Sequence, residues 1–294
     1  MKKNERSSAL RGTVFVLLSA LCFSTGGLFM KLIPWNALAI NSARNIFSVL
    51  LLAVFFRLSR HKLVINRTVL IGALAITGTN ILYCLANKLT TAGNTIILQF
   101  TAPIWVMVFS SLLIKKKPGR LDIGAAIFVF AGVICFFVDS LSSGHLVGDV
   151  LALVSGVCYA GVFMLNAKPD SDSLSSVLLG MILNFLTGLP FLIAQKPLSA
   201  EPKELALVAA LGIFQLGLSY IFLTKGLEIT PPIRASLISG IEPVLNPVLV
   251  AVFYGEMLTP LSLAGAAIVF ISILVYNLLN LRRQAAEGEQ ALTA

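Results

Sequence analysis

Two ionisable residues stand where a bilayer-crossing helix tolerates them worst. Glu242 lies within "SLISGIEPVLNPVLVAVFYGE", Ser236 to Glu256, about nine residues into an apolar run and roughly 13 Å deep at 1.5 Å per residue. That depth is near the middle of a roughly 30 Å hydrocarbon core. An ionised carboxylate there must be paired, hydrated or protonated, which suits it to binding a proton or a cationic group of a solute. The competing role is structural: a carboxylate held by neighbouring hydroxyls, or one that caps freed backbone donors. Arg44 sits about seven residues, roughly 10 Å, inside another apolar run. It stays protonated, so it must meet an acid, several carbonyls or an anionic group. Glu242 is the one acid of comparable depth in the sequence reading, and both a structural role and solute contact remain open for Arg44.

Prolines mark the same neighbourhood. Within a helix, proline lacks the backbone donor and clashes with the carbonyl four residues back. Pro103, Pro243 and Pro247 are therefore expected to break their helices, freeing the carbonyls of Gln99, Ser239 and Pro243. Polar side chains at Gln99 and Ser239 would then flank a broken backbone bond, a combination suited to a watered cavity. Helix bending to fit a bundle is the plainer explanation, and the two are compatible. Tyr83, Asn87, Trp105, Tyr159, Asn184, Gln215, Tyr220 and Asn246 complete the candidate pathway, although Tyr and Trp near helix ends also serve as interfacial anchors.

Catalytic chemistry finds little support. The two histidines, His61 and His145, fall in expected loops, and no HExxH, Walker A or acid-rich metal motif occurs. An ATP-driven pump is excluded with the P-loop, and neither cofactor nor metal is expected. Cys22, Cys84, Cys135 and Cys158 lie in apolar segments without CxxC spacing, so neither a disulfide framework nor a metal site follows.

The elements that must hold these residues are legible in the composition. With 57% hydrophobic and 12% charged residues, the 294-residue chain has too little polar surface for a water-soluble globule. A net charge of +9 comes from Lys and Arg in short stretches between apolar runs, without an aromatic-interleaved basic face, so nucleic acid is not an expected partner. "MKKNERSSALR" followed by apolar sequence imitates a secretory signal, but the run from Thr13 is too long for an h-region and reads as a retained first helix. Ten spans are expected near 13–32, 37–56, 68–88, 94–114, 121–139, 147–167, 174–194, 205–225, 233–254 and 260–281. Seventeen of the 22 Lys and Arg then share the side of the two termini, against Lys31, Lys88, Lys196 and Lys203 opposite, with Arg44 inside a helix. By the positive-inside rule the N- and C-termini are cytoplasmic and the protein is multi-pass in the plasma (inner) membrane.

The chain also repeats itself. "GTVFVLLSALCF" from Gly12 aligns with "GDVLALVSGVCY" from Gly148, which pairs Phe23 with Tyr159. "LQFTAPIWVMV" from Leu98 aligns with "ISGIEPVLNPV" from Ile238, which sets Pro103 on Pro243, and "GAAI" recurs at Gly124 and Gly265. The expected fold is an all-α integral membrane protein of ten helices in two five-helix repeats, 13–139 and 147–281, between tails at 1–12 and 282–294. Five is odd, so the second repeat crosses in the opposite sense, an inverted topology found in secondary transporters. In the sixth span Ala152, Gly156 and Ala160 make a small-residue stripe for close helix contact.

The segments "IEPVLNPVLVAVFYGEMLTPLSLAGAAIV" and "TAPIWVMVFSSLLIKKKPGRLDIGAAIFVFAGV", with the arginine of "NSARNIFSVLLLA", resemble the drug/metabolite transporter superfamily and specifically its ten-helix members with two EamA domains. The likeness spans about Gly12 to Leu281. Lys116 stands where the first domain often has the acid matched by Glu256, and "CFSTGG" replaces a frequent Trp-Gly pair. The resemblance implies export or exchange of small metabolites, amino acids or drug-like compounds by alternating access, and the depth of Glu242 makes it the candidate for proton coupling. The partners implied are a small-molecule solute, the lipid bilayer and protons; oligomeric state stays open. A flippase for a lipid-linked metabolite is the nearest rival, since related members do this, and a membrane-embedded enzyme is the rival of another class.

Overall fold

The computed structural model describes residues 2–113, 115, 119–197, 200–257 and 259–293, so Lys116 and its neighbours Lys117 and Pro118 lie outside the described residues. Ten helical stretches follow one another. They are α1 (Lys2–Phe23 and Gly26–Leu32), α2 (Ala37–Ser59), α3 (Arg67–Leu89), α4 (Ala92–Gln99 and Ala102–Leu113) and α5 (Arg120–Ser143). After them come α6 (Leu146–Phe163), α7 (Ser173–Gln195), α8 (Pro202–Leu227), α9 (Pro232–Tyr254) and α10 (Pro260–Thr293). Eight of these, all but α5 and α10, are long and apolar enough to cross a membrane, and α10 adds a shorter apolar stretch over Pro260–Tyr276. No strand occurs among the described residues. The outer helices α1 and α10 run on through residues 2–12 and 282–293.

Helix starts are written by side-chain caps. Asn36, Asn66, Thr91 and Asp172 each accept a hydrogen bond from a backbone N–H two or three residues on, which satisfies a donor the helix cannot. Large apolar side chains such as Leu50, Val54, Leu58, Leu74, Phe253 and Val252 face outward. The interior is more polar than in a soluble protein, with Asn41, Arg44, Asn45, Asn80 and Asn184 all buried. Lipid cannot satisfy such groups, so they turn inward and bond across helices.

Close approach is bought by small residues. The α2 and α7 helices touch at Gly188, where an added Cβ would lie 2.4 Å from the Leu38 carbonyl oxygen, and Asn41 Nδ2 donates to Asn184 Oδ1 at 2.8 Å. The α3 and α7 helices meet at Gly72 and Gly180, α1 and α8 at Gly226, and α5 and α10 at Gly132, which abuts the Gly265 carbonyl. Ala152, Gly156 and Ala160 are buried on α6, and Gly156 receives the Gln99 backbone carbonyl of α4.

Three helices are interrupted near the middle. In α4 the break falls at Phe100–Thr101, so Pro103 sits in the first turn of the second half. In α9 a 3₁₀ turn, Ser239–Ile241, precedes Glu242–Tyr254, which again starts just before its proline, Pro243. Proline costs a helix nothing at such a start, because that N–H has no partner anyway. One expectation is corrected here: Ser239 does not present a free carbonyl, since the Glu242 N–H bonds to it within the 3₁₀ turn. The Gln99 carbonyl likewise packs on Gly156. Pro247 stays inside the second half of α9. The third break, Ser24–Thr25 in α1, has no proline; Ser24 and Thr25 hydroxyls bond back to the Ala20 and Cys22 carbonyls at 2.7 and 2.8 Å, and two glycines follow.

Candidate functional site

The broken helices converge on an enclosed cavity. Its lining comes from α1 (Phe23), α3 (Thr79, Asn80, Tyr83), α4 (Ile96, Gln99), α6 (Tyr159), α8 (Gln215, Tyr220) and α9 (Glu242). A volume of about 20 Å³ has room for one water and none for a solute.

Glu242 is placed by the α9 break. It is 2% exposed and opens the second half-helix, where the unbonded N–H groups and the helix dipole favour negative charge. Tyr159 Oη donates to its Oε1 at 3.0 Å. Phe23 meets Tyr159 edge-on at 6.2 Å between ring centres, and the same Phe23 ring meets Tyr220 edge-on at 5.1 Å. Phe23 and Tyr159 are the pair that the sequence alignment of the two halves matched.

Arg44 is fully buried but stands behind the cavity wall. Its guanidinium donates to Gln215 Oε1 at 3.0 Å, Asn41 Oδ1 at 3.1 Å and Asn80 Oδ1 at 3.1 Å. Three neutral amides thus share the cation, and no ion pair joins it to Glu242 among the described residues. Since Arg44 only donates, it fixes the amide of Gln215 with oxygen toward itself. The Gln215 Nε2 donor is left for the cavity side, where it approaches Gly26 of α1. Gln215 owes its position to a stretch of π-helix, Leu211–Leu218, whose wider turn rotates one residue out of register, and the Ser219 hydroxyl donates to the Gln215 and Phe214 carbonyls there.

Of the sequence candidates, Glu242, Gln99, Tyr83, Tyr159, Gln215 and Tyr220 come together at the cavity. Gln99 Nε2 donates to Ser155 Oγ at 3.0 Å. Arg44, with Asn184 one layer further back, supports them. Ser239, Asn87 and Asn246 are buried with side-chain polar atoms lacking a hydrogen-bond partner, and none lines the cavity. Trp105 packs half-buried against the apolar core away from it. Sequence reasoning missed Asn41, Asn80 and the glycines Gly26 and Gly27; it also missed Asp149, a buried acid at the start of α6 whose Oδ2 lies 3.5 Å from Asn94 Nδ2. On α2 the signal was present as a polar stripe, Asn41, Arg44, Asn45 and Ser48, at helical spacing.

A larger hollow of about 540 Å³ lies between α4 and α5, lined by Ile104, Met107, Phe130 and other apolar residues with Ser111 the one polar side chain. It shares no residue with the central cavity, and its chemistry suits acyl chains. Among the described residues no group of three or more His, Cys, Asp or Glu gathers to hold a metal, and all four cysteines are free.

A multi-pass helical membrane protein with broken helices around a buried polar cavity is the architecture of a solute transporter. The EamA-like transporter family model matches residues 10–138 and again 146–278, and the chain belongs to that family. It is 29% identical to the uncharacterized transporter YwfM of Bacillus subtilis over 94% of this chain and 97% of that one. It is 26% identical to the threonine/homoserine exporter RhtA of Escherichia coli K12 over 85% and 86%, and 23% identical to human solute carrier family 35 member G1 over 89% and 77%. A solved crystal structure shares the fold at a TM-score of 0.68 and 17% identity, covering 94% of this chain and 98% of its own. The relatives are transporters rather than enzymes, and the protein is a membrane-embedded transporter of small solutes.

Proposed function

We propose that the protein moves small polar solutes, amino acids among them, by proton-coupled alternating access, with Glu242 as the coupling acid. One observation carries this reading: a buried carboxylate faces the cavity from a broken helix, held by a tyrosine hydroxyl, while the nearest buried cation is occupied by neutral amides. A carboxylate so placed can exchange a proton for a solute's cationic group as the cavity opens. Across the cavity Gln215 offers a donor that Arg44 orients. An acceptor wall facing a donor wall complements a solute with an ammonium at one end and a carboxylate at the other.

In this reading the two five-helix halves form inverted repeats that rock about the cavity. The Lys/Arg-rich side with both termini is cytoplasmic, and the ends carrying Lys31 and Glu256 face outward across the plasma membrane. The flippase alternative is less well supported, since the α4–α5 hollow shares no lining residue with the polar cavity.

Reconstituted protein tests the proposal. Proteoliposomes loaded with a panel of amino acids should show efflux accelerated by a pH gradient, and Glu242→Gln should abolish that acceleration and also weaken exchange at equal pH, because the carboxylate that receives the solute's cationic group is gone. An unchanged gradient response in Glu242→Gln would overturn the coupling role, and no transport of any zwitterion by wild type would overturn the solute class.

A further inference from the structure

The short half-helix Gly26–Leu32 of α1 buries Met30 in the main core, and at its outer end it is held by a second set of contacts. Lys31 Nζ pairs with Glu256 Oε2 at 3.0 Å and donates to the Thr90 carbonyl at 3.0 Å. Glu256 Oε1 accepts the Ala92 N–H at 2.6 Å, so one carboxylate ties the end of α1 to the start of α4 just beyond α9. Lys88 Nζ adds a bond to the Ile33 carbonyl at 2.6 Å. One turn below the ion pair, Leu28, Ala92 and Val250 form an apolar seam distinct from the core of the rest of the molecule. One turn lower again, Gly27 lies against Asn246: an added Cβ would be 2.3 Å from Asn246 Oδ1.

Beneath this half-helix are polar groups that a closed structure leaves idle. Asn246 and Tyr83 are buried facing each other, and beyond that mutual contact neither side chain has a close hydrogen-bond partner. They adjoin one another and the cavity, since Tyr83 lines it and Asn246 lies one helical turn beyond Glu242 on α9. Buried polar groups with spare hydrogen-bonding capacity are costly, and a buried amide that meets only one tyrosine under a glycine contact is explained if it acquires further partners in another state. The Ser24–Thr25 interruption is a natural hinge: the two hydroxyl bonds at that turn stay within the inner segment, and the Thr25 carbonyl accepts the Phe29 N–H of the half-helix.

We propose that Gly26–Leu32 is a gate, latched by the Lys31–Glu256 ion pair, and that its lifting turns Tyr83 and Asn246 into a second solute-binding station between the Glu242 cavity and the membrane face. The station offers a donor-acceptor amide and a hydroxyl without charge, so it receives the polar neutral parts of a solute. Passage from Glu242 to Asn246 then climbs one turn of α9 toward the exit. The gate rests on the transporter reading but not on proton coupling through Glu242.

Thiol labelling separates the two. In a variant with Cys22, Cys84, Cys135 and Cys158 replaced by serine, Asn246→Cys is treated with a bulky water-soluble maleimide from each side of the membrane in turn. The latched protein should label slowly; adding Lys31→Gln should raise the rate from the Lys31 side about fivefold or more, the effect of roughly 1 kcal/mol on a closed-open equilibrium. The exchanged pair Lys31→Glu with Glu256→Lys should return the rate toward the slow value, which distinguishes a released latch from a misfolded chain. In a second arm, Lys31→Cys with Glu256→Cys, oxidised to a disulfide, should stop transport and regain it on reduction. Equal labelling with and without the latch, or full transport by the oxidised protein, would overturn the gate whatever the outcome of the pH-gradient measurements.

Discussion

Arg44 Nη1 and Gln215 Oε1 are 3.0 Å apart, and through this bond a cation buried in α2 decides which end of an α8 amide meets the solute cavity. The guanidinium contributes geometry as much as charge, because its planar fork also holds Asn41 and Asn80.

Truncating it should therefore damage the fold before the chemistry. Arg44→Ala would take the arginine donors from the Gln215 and Asn80 amide oxygens and leave Asn41 Oδ1 only its weaker donors Asn45 and Cys84, at an expected cost of about 3–5 kcal/mol. Thermal unfolding in detergent should fall sharply. Arg44→Lys, which keeps the charge and loses the fork, should recover part of the melting temperature but leave Gln215 free to turn, so solute affinity drops more than stability does. Equal melting temperatures for wild type and Arg44→Ala would refute the supporting role.

Glu242 and Tyr159 should behave as a unit in transport. The tyrosine hydroxyl donates to the carboxylate, so Tyr159→Phe alone should reduce the proton-driven rate, whereas in a Glu242→Gln background the same change should add little. Initial efflux rates with a pH gradient for wild type, both single variants and the double variant measure this. Additive losses would mean that Tyr159 acts elsewhere.

Much of this site was readable from sequence because intramembrane charge and proline are rare and few roles explain them. The sequence alone singles out Glu242, Gln99, Tyr83, Tyr159, Gln215 and Tyr220, and the six meet at one cavity. The proline rule misled in one respect: it locates a break but not how the chain repairs it, and the 3₁₀ turn at Ser239–Ile241 satisfies the carbonyl that Pro243 was expected to free. The break at Ser24–Thr25 carried no proline and passed unnoticed. Lys31 and Glu256 were equally invisible as partners, since each reads as an ordinary charge at a helix end and only the fold brings α1 beside α9.

Gly212 is a tight spot that the cavity depends on. A Cβ there would lie 2.3 Å from the Arg44 carbonyl oxygen and 2.6 Å from Phe47 Cβ, both on α2 and neither free to move away. Its own carbonyl accepts the Ser48 hydroxyl at 2.7 Å. Gly212→Ala must push α8 off α2, at about 1–3 kcal/mol of overpacking, and should lengthen the Arg44–Gln215 bond with it. A lowered melting temperature together with weakened solute binding is expected; Gly217→Ala, which meets the movable end of Leu51 at 2.5 Å, should be milder.

At the opposite end from Lys31, the loop before α3 is clasped to the start of α7. His61 Nε2 approaches Asp172 Oδ2 at 2.9 Å, Thr68 Oγ1 donates to Asp170 Oδ2 at 2.6 Å, and Val64 N–H donates to Ser175 Oγ at 3.0 Å. Partial burial works to raise the Asp172 carboxyl, but the hydrogen bonds from Ser175 and the neighbouring His61 outweigh it and leave the group below its ordinary value of 3.8. A carboxylate held low in the folded state stabilises it in full above that ordinary value, and the contribution fades as pH falls through the folded one. Asp172→Asn keeps the capping oxygen for the Ser175 N–H and removes only the charge. Its melting temperature should lie about 1–3 °C below wild type near pH 5, the scale of a partly exposed ion pair, and the gap should close as pH falls below about 4. A gap that widens with acid would place the stabilising charge elsewhere, because protonation can only erase what ionised Asp172 contributes.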